Sequence, residues 1–404
     1  MNTKGEMAVK NEISDWIVKA ALAGREEIEI LAGTCERMVA AGISLVRASV
    51  ASNLLDPTID ARGVRWLRAK GGVEEAFPRT DDPAVEEDWR RSPFFAVIES
   101  GKPMLRRRLD ATYRRGEFPM LDQFQDEGVT EYVALVSRIG KRVRLGEGEG
   151  IAVSWTTDAP NGFTDEQIAV LAGILPALTI SVILWMTNRA ARTLITTYLG
   201  SDAAARVLAG NIVRGRADPI RAVVWFSDLV GFTRISDTTN AATVLELLND
   251  YAEAQVEEIE AHAGNVLKFT GDGILAIFPH DDTPVACKRA LDAAAGQRSR
   301  ITALNQRRSA SGLPVTDTHV ALHVGELLYG NLGSARRLDF TVLGPAVNEA
   351  ARIEALCGSL EQTIIVSSAF AEAAGDARGL LVSLGRYAMK GVARPQELFT
   401  LDLA

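Results

Sequence analysis

Two apolar segments that each lead into an acidic residue constrain the second half of the chain most strongly. The run "IRAVVWFSD" predicts a buried β-strand that ends at Asp228. Further along, "NVLKFTGDGILAIF" predicts two strands on either side of a tight turn that contains Asp272. The helical segment "AATVLELLNDYAEAQVEEIEAHA" separates these two features, and a long helix from Pro284 and the strand "HVALHVG" follow them.

This order of strand, helix, hairpin, helix and strand predicts an α+β domain with a ferredoxin-like βαββαβ core. In that arrangement the first and third strands are neighbours, so the end of the first strand and the tip of the hairpin lie side by side. We therefore expect the carboxylates of Asp228 and Asp272 to converge. Asp272 also has a second interpretation, because Asp-Gly is by itself a favoured two-residue hairpin turn.

Two convergent carboxylates are typical of a site for Mg²⁺ or Mn²⁺, which bind nucleotide phosphates through one or two acids and the oxygens of the substrate. The segment "LVGFT" that follows Asp228 fits such a site. Gly231 permits a tight turn into a helix whose free N–H groups can cradle phosphates, and Phe232 and Thr233 begin that helix. The sequence therefore predicts a metal and triphosphate site.

Three ordered blocks, "FSDLVGFT", "KFTGDGILAIF" and "RLDFTVLGPAVNEAARIEAL", resemble the signature blocks of class III nucleotidyl cyclases. The resemblance covers about residues 217–400. Diguanylate cyclases share the same palm-like core, but their paired-glycine acidic loop is missing where "TGDGI" stands. The resemblance implies two metal ions in each site, held by Asp228 and Asp272.

The resemblance also implies roles for residues that read the base, the ribose and the phosphates. Lys268 matches the lysine that reads the purine, and Thr341 stands at the second base-reading position. Asn348 matches the asparagine that orients the ribose, and Arg352 matches the arginine that stabilises the transition state. Two further residues match phosphate contacts: Arg336, for which Arg337 is an alternative, and Lys390, where "AMKGVARPQELF" departs from the family's lysine-rich loop.

Hydrogen-bond chemistry favours ATP over GTP as the substrate. Adenine offers an acceptor at N1 and a donor at N6, which fit an ammonium donor at Lys268 and an accepting hydroxyl at Thr341. Guanine presents an N1–H donor, which Lys268 would oppose. A threonine at this position also resembles the subclass in which stimulation by bicarbonate is common, so bicarbonate or another small molecule is a candidate effector.

The reaction implied by the resemblance is adenylate cyclase chemistry, in which the ribose 3′-oxygen attacks the α-phosphorus of ATP. The products are 3′,5′-cyclic AMP and pyrophosphate. In this family the metal aspartates come from one subunit and the residues at the positions of Lys268, Asn348 and Arg352 come from the other. We therefore expect a homodimer with two sites. A nucleotide-binding regulatory module without turnover is the alternative from another functional class.

The length of 404 residues predicts two domains, because single cores stop growing at roughly 250–300 residues. Residues 1–187 alternate helical and strand patterns in an order that resembles a GAF-type sensor domain. Residues 188–216 are predicted to form a helical connector that is interrupted at Gly200 and capped again by Ser201 and Asp202. Residues 217–404 are predicted to form the catalytic domain. The net charge of −8 argues against a nucleic-acid partner.

The uncharged stretch from Ile168 to Met186 meets the length rule for a membrane span. Pro176 in its middle and the cap pattern at Thr164 instead predict two buried helical pieces, the second of which packs on its copy in a dimer. The N-terminus has no apolar signal region, and the three cysteines form no CxxC pair. We expect a cytoplasmic protein, with a membrane-anchored receptor cyclase as the alternative.

Overall fold

The computed structural model describes residues 3–53, 59–78, 82–140, 150–389 and 395–401. The chain divides into two compact units, Met1–Leu194 and Ile195–Ala404.

The first unit is a mixed α+β unit built on an antiparallel sheet. Its helices are α1 (Thr3–Leu22), α2 (Glu27–Ala40), α3 (Pro83–Arg90), α4 (Pro93–Glu99), α5 (Pro119–Asp126) and the start of α6 (Asp165–Leu199). Its strands are β1 (Arg47–Asn53), β2 (Ile59–Leu67), β3 (Gly71–Pro78), β4 (Met104–Arg108), β5 (Glu131–Arg138) and β6 (Gly150–Thr157), in the sheet order β3-β2-β1-β6-β5-β4.

The main core of the first unit lies between one face of this sheet and the helices α1, α2 and α6. Trp66 and Trp155 are buried in it. A second core cluster lies on the β4–β5 side, and Phe94 packs against that cluster. Trp89, at 41% exposure, packs edge-to-face on Phe95. Trp66 and Trp155 are therefore core residues, whereas Trp89 is partly exposed beside Phe95.

The helix α6 corrects the prediction of two helical pieces, because it runs without a break through Pro176. The predicted cap at Thr164 is present, since Thr164 Oγ1 accepts from the Gln167 backbone N–H and the Gln167 side chain accepts from Thr164. Proline removes only one backbone donor. Ile174 and Leu178, on either side of it, are both buried in the same core, so packing holds the two halves of the helix in line.

By length and composition, α6 is apolar enough to cross a membrane. In its most apolar window, 44% of the residues are buried inside the protein. A core helix of a soluble protein has the same properties, so this feature alone does not distinguish the two cases.

The predicted connector is helical, but its boundaries differ from the prediction. Residues from Asn188 to Leu199 continue α6, and α7 (Ser201–Leu208) follows after Gly200. The interruption at Gly200 is confirmed, and its φ of 78° is one that glycine adopts readily. Gly200 itself takes the N-cap position, without a side-chain hydrogen bond, so the prediction that Ser201 and Asp202 cap the helix is wrong.

The second unit is built on one sheet with helices on both faces. Its further helices are α8 (Phe232–Thr238), α9 (Ala241–Ala261), α10 (Thr283–Ala310), α11 (Pro345–Glu354), α12 (Ser368–Ala373) and a 3₁₀ turn at Gly375–Leu380. Its strands are β7 (Ala217–Leu229), β8 (Asn265–Phe269), β9 (Ile274–Pro279), β10 (Thr318–Gly333), β11 (Leu338–Leu343), β12 (Ile364–Ser367), β13 (Leu381–Tyr387) and β14 (Gln396–Leu401).

The strands of this sheet follow the order β13-β14-β12-β10-β7-β9-β8, with β11 paired to β10. The central strand β7 pairs antiparallel with β9 on one side and with β10 on the other. The adjacency of β7 and β9 that the sequence predicted is therefore present. Alternate residues of β7 face opposite cores: Val223 and Trp225 pack with α10, and Ala222 and Val224 pack with α11.

Candidate active site

The first acid of the site lies at the end of the central strand. The apolar residues from Ala222 to Trp225 are buried, and Asp228, near the end of the same strand, is half-buried. The neighbouring Ser227 is fully buried and donates from Oγ to Oε1 of Gln255 on α9, at 2.7 Å. This bond fixes the strand against α9 next to Asp228.

The second acid lies on the β8–β9 turn. The Thr270 backbone N–H donates to the Gly273 carbonyl at 2.9 Å, so Gly271 and Asp272 are the two central turn residues. Gly271 has a φ of 85° at the first central position, as a type II′ turn requires. This corrects the prediction of an Asp-Gly turn, because the glycine that makes the turn precedes Asp272.

Gly273 allows the turn to approach β7 closely. A Cβ atom on Gly273 would lie 2.1 Å from the Ser227 carbonyl oxygen and 3.1 Å from Asp228 Oδ1. Because Ser227 pairs with Ile274 in the β7–β9 register, the turn stands directly beside the end of β7. The structure therefore brings Asp228 and Asp272 together.

The two carboxylates influence each other strongly. Burial raises the pKa of Asp228 to about 6, with further contributions from the charge of Asp272, a hydrogen bond between the two carboxyl groups and the charge of Glu354. Two neighbouring acids disfavour a doubly ionised state unless a cation lies between them. Among the described residues, no group of three or more His, Cys, Asp or Glu side chains is close enough together to hold a metal ion without other ligands. Two hard oxygen donors still fit Mg²⁺ or Mn²⁺, whose other ligands come from substrate and water.

Lys268 and Thr341 lie on two strands that contact each other, β8 and β11. Lys268 is exposed, and its Nζ atom lies 3.9 Å from Oδ2 of Asp339. Thr341 is 5% exposed, and its Oγ1 is a buried atom without a hydrogen-bond partner. A buried hydroxyl without a hydrogen-bond partner costs free energy, and a ligand that donates a hydrogen bond to it would remove that cost.

Asp339 is a residue that the sequence reasoning missed. It lies two residues before Thr341 on β11, so the two side chains share one face of the strand. In the sequence, the segment "DFT" already places Asp339 and Thr341 on the same face of a strand. The ion pair between Asp339 and Lys268 could not be predicted, because it depends on how β11 lies against β8. Glu354 was missed for the same reason, since only the fold places its charge near Asp228.

Asn348 and Arg352 are exposed, one turn apart, on α11. Ala346, Ala350 and Ile353 anchor the opposite side of the helix. The described residues provide no hydrogen bond or ion pair that joins the acid pair to Lys268, Thr341, Asn348 or Arg352. The predicted site residues therefore fall into two sets within one chain.

The predicted phosphate contacts lie in turns and loops. Gly231 has a φ of 65° and caps α8, whose first residues are Phe232, half-buried, and Thr233, exposed. Arg336 and Arg337 are both exposed in the β10–β11 turn, where their backbone N–H groups donate to Ser334 Oγ. Lys390 lies outside the described residues.

None of the histidines was predicted to act in the site, and His319 lies next to it. It is the cross-strand partner of Asp228 in the β7–β10 register, and its Nδ1 lies 3.6 Å from Glu354 Oε1. The pair joins β10 to the end of α11 beside the acids.

The family described as the adenylate and guanylate cyclase catalytic domain matches residues 217–402. These residues form a class III cyclase catalytic domain. The cyclase domain includes every residue of the candidate site, from Asp228 to Lys390.

Curated relatives of the cyclase domain include named adenylate cyclases. Adenylate cyclase 1 of Rhizobium meliloti is 28% identical over 257 residues, which are 59% of this chain and 38% of the relative. An adenylate cyclase of Anabaena cylindrica is 33% identical over 161 residues, which are 39% of this chain and 31% of the relative. An uncharacterized protein of Mycobacterium tuberculosis is 33% identical over 208 residues, 51% of this chain and 36% of the relative. The matches thus span about a third of these relatives' length.

Proposed function

We propose that this chain is an adenylate cyclase that converts ATP into 3′,5′-cyclic AMP and pyrophosphate in a homodimer. The observation that carries the proposal is the convergence of Asp228 and Asp272 in a domain that holds Lys268 and Thr341 on two contacting strands. Two of the named relatives are adenylate cyclases, which supports the same choice.

Asp228 and Asp272 are the residues that would hold two Mg²⁺ or Mn²⁺ ions. Bound there, the ions supply positive charge for the ribose 3′-oxygen and for the oxygens of the α-phosphate and the leaving group. Because Gly273 lets the β8–β9 turn lie against the end of β7, the two acid side chains are already close together. Binding of a cation would therefore require little reorganisation of the protein.

Lys268 and Thr341 account for the choice of adenine. The Lys268 ammonium donates to N1 of adenine, and the unpaired Thr341 hydroxyl accepts from the N6 amino group. Asp339 holds the ammonium near the base through its contact of 3.9 Å. Guanine would place its N1–H donor against the ammonium, which is repulsive.

Asn348 and Arg352 act on the ribose and the reacting phosphate. Asn348 orients the ribose so that the 3′-oxygen faces the α-phosphorus. A bond forms between these atoms as the bond from the α-phosphorus to the pyrophosphate oxygen breaks. The bonding electron pair leaves with pyrophosphate, and the proton of the 3′-hydroxyl is released to water. Arg352 offsets the charge that develops at phosphorus, and Gly231, Thr233, Arg336 and Lys390 are candidates for contacts to the leaving phosphates.

A homodimer would explain why no hydrogen bond or ion pair joins the two sets of site residues within the described part of one chain. In a two-fold dimer, the acid pair of one protomer faces Lys268, Asn348 and Arg352 of its partner. Exposed apolar side chains lie on the same strands as the base-reading residues, among them Phe269 (59% exposed) and Leu343 (55%). On α6, Ile180 is also exposed (63%), so a second copy would cover apolar surface in both units.

We propose that the first unit regulates the cyclase domain as a GAF-like sensor and that the protein is cytoplasmic. The α+β architecture of the first unit supports the sensor assignment, because α1, α2 and α6 pack on one face of an antiparallel sheet and α4 and α5 pack on a second core cluster of the same sheet. Deletion of residues 1–190 is then expected to change the rate or the dimer affinity. Unchanged activity at every protein concentration would mean that the first unit has no regulatory effect.

The direct test is the formation of cyclic AMP from ATP by the purified chain with Mg²⁺ or Mn²⁺. We expect turnover with ATP, little with GTP, and none for Asp272→Asn, with the substitution leaving the fold intact. Nucleotide binding without turnover in the wild type would favour the regulatory module instead. Near-normal activity of Asp272→Asn would show that this aspartate is only a turn residue.

A further inference from the structure

A solvent-open cavity of about 750 Å³ lies in the first unit, between the turn that joins α1 to α2 and the second half of α6. Its volume is in the range of sites for small organic ligands. Its walls combine apolar side chains, Leu22, Ile30 and Leu184, with a group of arginines. None of the roles proposed above uses this cavity.

The cavity carries an excess of positive charge. Its charged lining residues are Arg25, Arg189 and Arg192 against a single acid, Glu26. Among the residues that the structure describes, none of these arginines forms an ion pair with a carboxylate. Arg189 lies over the ring of Trp185, 5.3 Å from its centroid, and Arg192 donates to Asn188 Oδ1 at 2.9 Å. The guanidinium groups thus retain donors for a ligand, in a protein whose net charge is −8.

The single acid of the cavity is already engaged. Glu26 caps α2 through a reciprocal capping box with Glu29 and accepts a hydrogen bond from the Trp185 indole at 2.9 Å. The carboxylate therefore fixes Trp185 and satisfies the helix terminus. It does not neutralise the three arginines, which come from both walls of the cavity.

We propose that this cavity binds a small organic anion with an apolar body, such as a medium-chain carboxylate. The carboxylate would bridge Arg25 on the α1–α2 turn and the arginines of α6, as guanidinium groups pair well with planar oxyanions. The apolar body would lie against Leu22 and Leu184, which are 77% and 46% exposed without a ligand. The ligand thereby ties the turn to α6, the helix that continues to Leu199.

The test measures binding by the full chain, without metal or nucleotide, by calorimetry and tryptophan fluorescence. Three probes are compared. Octanoate has both an apolar body and an anionic group, octanol has only the apolar body, and inorganic phosphate has only the anionic group. We expect octanoate to bind more tightly than either of the others. Its fluorescence change should be lost in Trp185→Phe. Because no nucleotide is present, the result does not depend on the proposed cyclase activity.

The matched variants locate the site. Arg189→Gln with Arg192→Gln, and separately Arg25→Gln, should each weaken octanoate binding by about tenfold or more, as expected for lost hydrogen bonds to a charged group. Arg90→Gln is the control, because Arg90 is exposed on α3 outside the cavity, where it pairs with Glu86. Circular dichroism and thermal unfolding of each variant confirm that it is folded.

Several results would overturn the proposal. Equal binding of octanol and octanoate would mean that the cavity is only an apolar groove, and equal binding of phosphate would mean that charge alone acts. Unchanged octanoate affinity in the arginine variants would place binding elsewhere. Binding to phosphatidylglycerol vesicles without any binding of monomeric octanoate would assign this surface to an anionic lipid bilayer instead.

Discussion

Gly273 lies so close to Asp228 that a Cβ atom on the glycine would stand 3.1 Å from the carboxylate oxygen and 2.1 Å from the preceding carbonyl oxygen. The lack of a side chain at residue 273 is therefore a condition for the acid pair. Any larger residue must displace the turn that carries Asp272.

Gly273→Ala is expected to lower cyclase activity by about 100-fold, because small displacements of reacting groups have effects of that size. The measurement is kcat with saturating ATP, together with the melting temperature. Gly379→Ala is the control, since a Cβ atom there meets nothing within 4 Å and should change neither value. Full activity in Gly273→Ala would mean that the acids do not need this close approach.

Base preference is expected to follow Lys268 and Thr341. Lys268→Glu combined with Thr341→Cys should sharply lower kcat/KM for ATP, because the donor to adenine N1 becomes an acceptor. Asp339→Ala should raise KM for ATP by a factor of about 2 to 5, the range for an exposed ion pair. Unchanged discrimination between ATP and GTP in the double variant would show that the base is read elsewhere.

Metal-free stability is expected to depend on pH through Asp228. Its pKa rises from the ordinary value of 3.8 to about 6 on folding, so the folded chain holds the proton more tightly and loses stability as the pH rises from about 4 through 6. At pH 7 in the presence of a chelator, the free energy of unfolding of Asp228→Asn should therefore exceed that of the wild type by about 1 kcal/mol after allowance for solvent screening. Urea denaturation measures this difference. The difference should vanish near pH 4.

The control for this pH effect is Asp281→Asn, at an exposed loop position. It should follow the wild type at both pH values. Equal stability of Asp228→Asn and the wild type at pH 7 would show that the ionised, half-buried Asp228 carboxylate does not destabilise the folded chain.

The shared site makes a quantitative prediction. Asp228→Asn and Arg352→Ala chains should each be inactive alone, because both sites of each homodimer lack one essential group. After free exchange of equal amounts, half the dimers are mixed, and each mixed dimer has one site with both lesions and one intact site. Activity should return to roughly a quarter of the wild type under two-fold pairing. No recovery despite demonstrated exchange would mean that each chain builds its own site.

The wild-type protein is expected in the soluble fraction of a cell lysate, even though α6 is long and apolar enough to span a membrane. The reason is that both Ile174 and Leu178 are buried in the core of the first unit, which a membrane span would have to give up. The measurement is the distribution between supernatant and carbonate-washed membranes. Quantitative recovery in the membranes would favour a receptor cyclase.

The sequence predicted those parts of the structure that depend on local pattern. The buried strand before Asp228, the cap at Thr164 and the interruption at Gly200 follow from residues that are neighbours in the chain. The break at Pro176 was wrong because packing on both sides of the proline outweighs the loss of one helical hydrogen bond. The contact between Lys268 and Asp339 could not be predicted, since it depends on how two distant strands meet.

The central pairing of β7 with β10 has a consequence for the order in which the cyclase domain forms. These strands begin at Ala217 and Thr318, about 100 residues apart in the chain. Contacts between such distant segments slow folding, because a large loop must close before they form. A nascent chain that has not yet reached Thr318 already carries Asp228 and Asp272, but its strand β7 is an open edge. Until β10 is synthesised and pairs with β7, this edge can accept a strand from another chain.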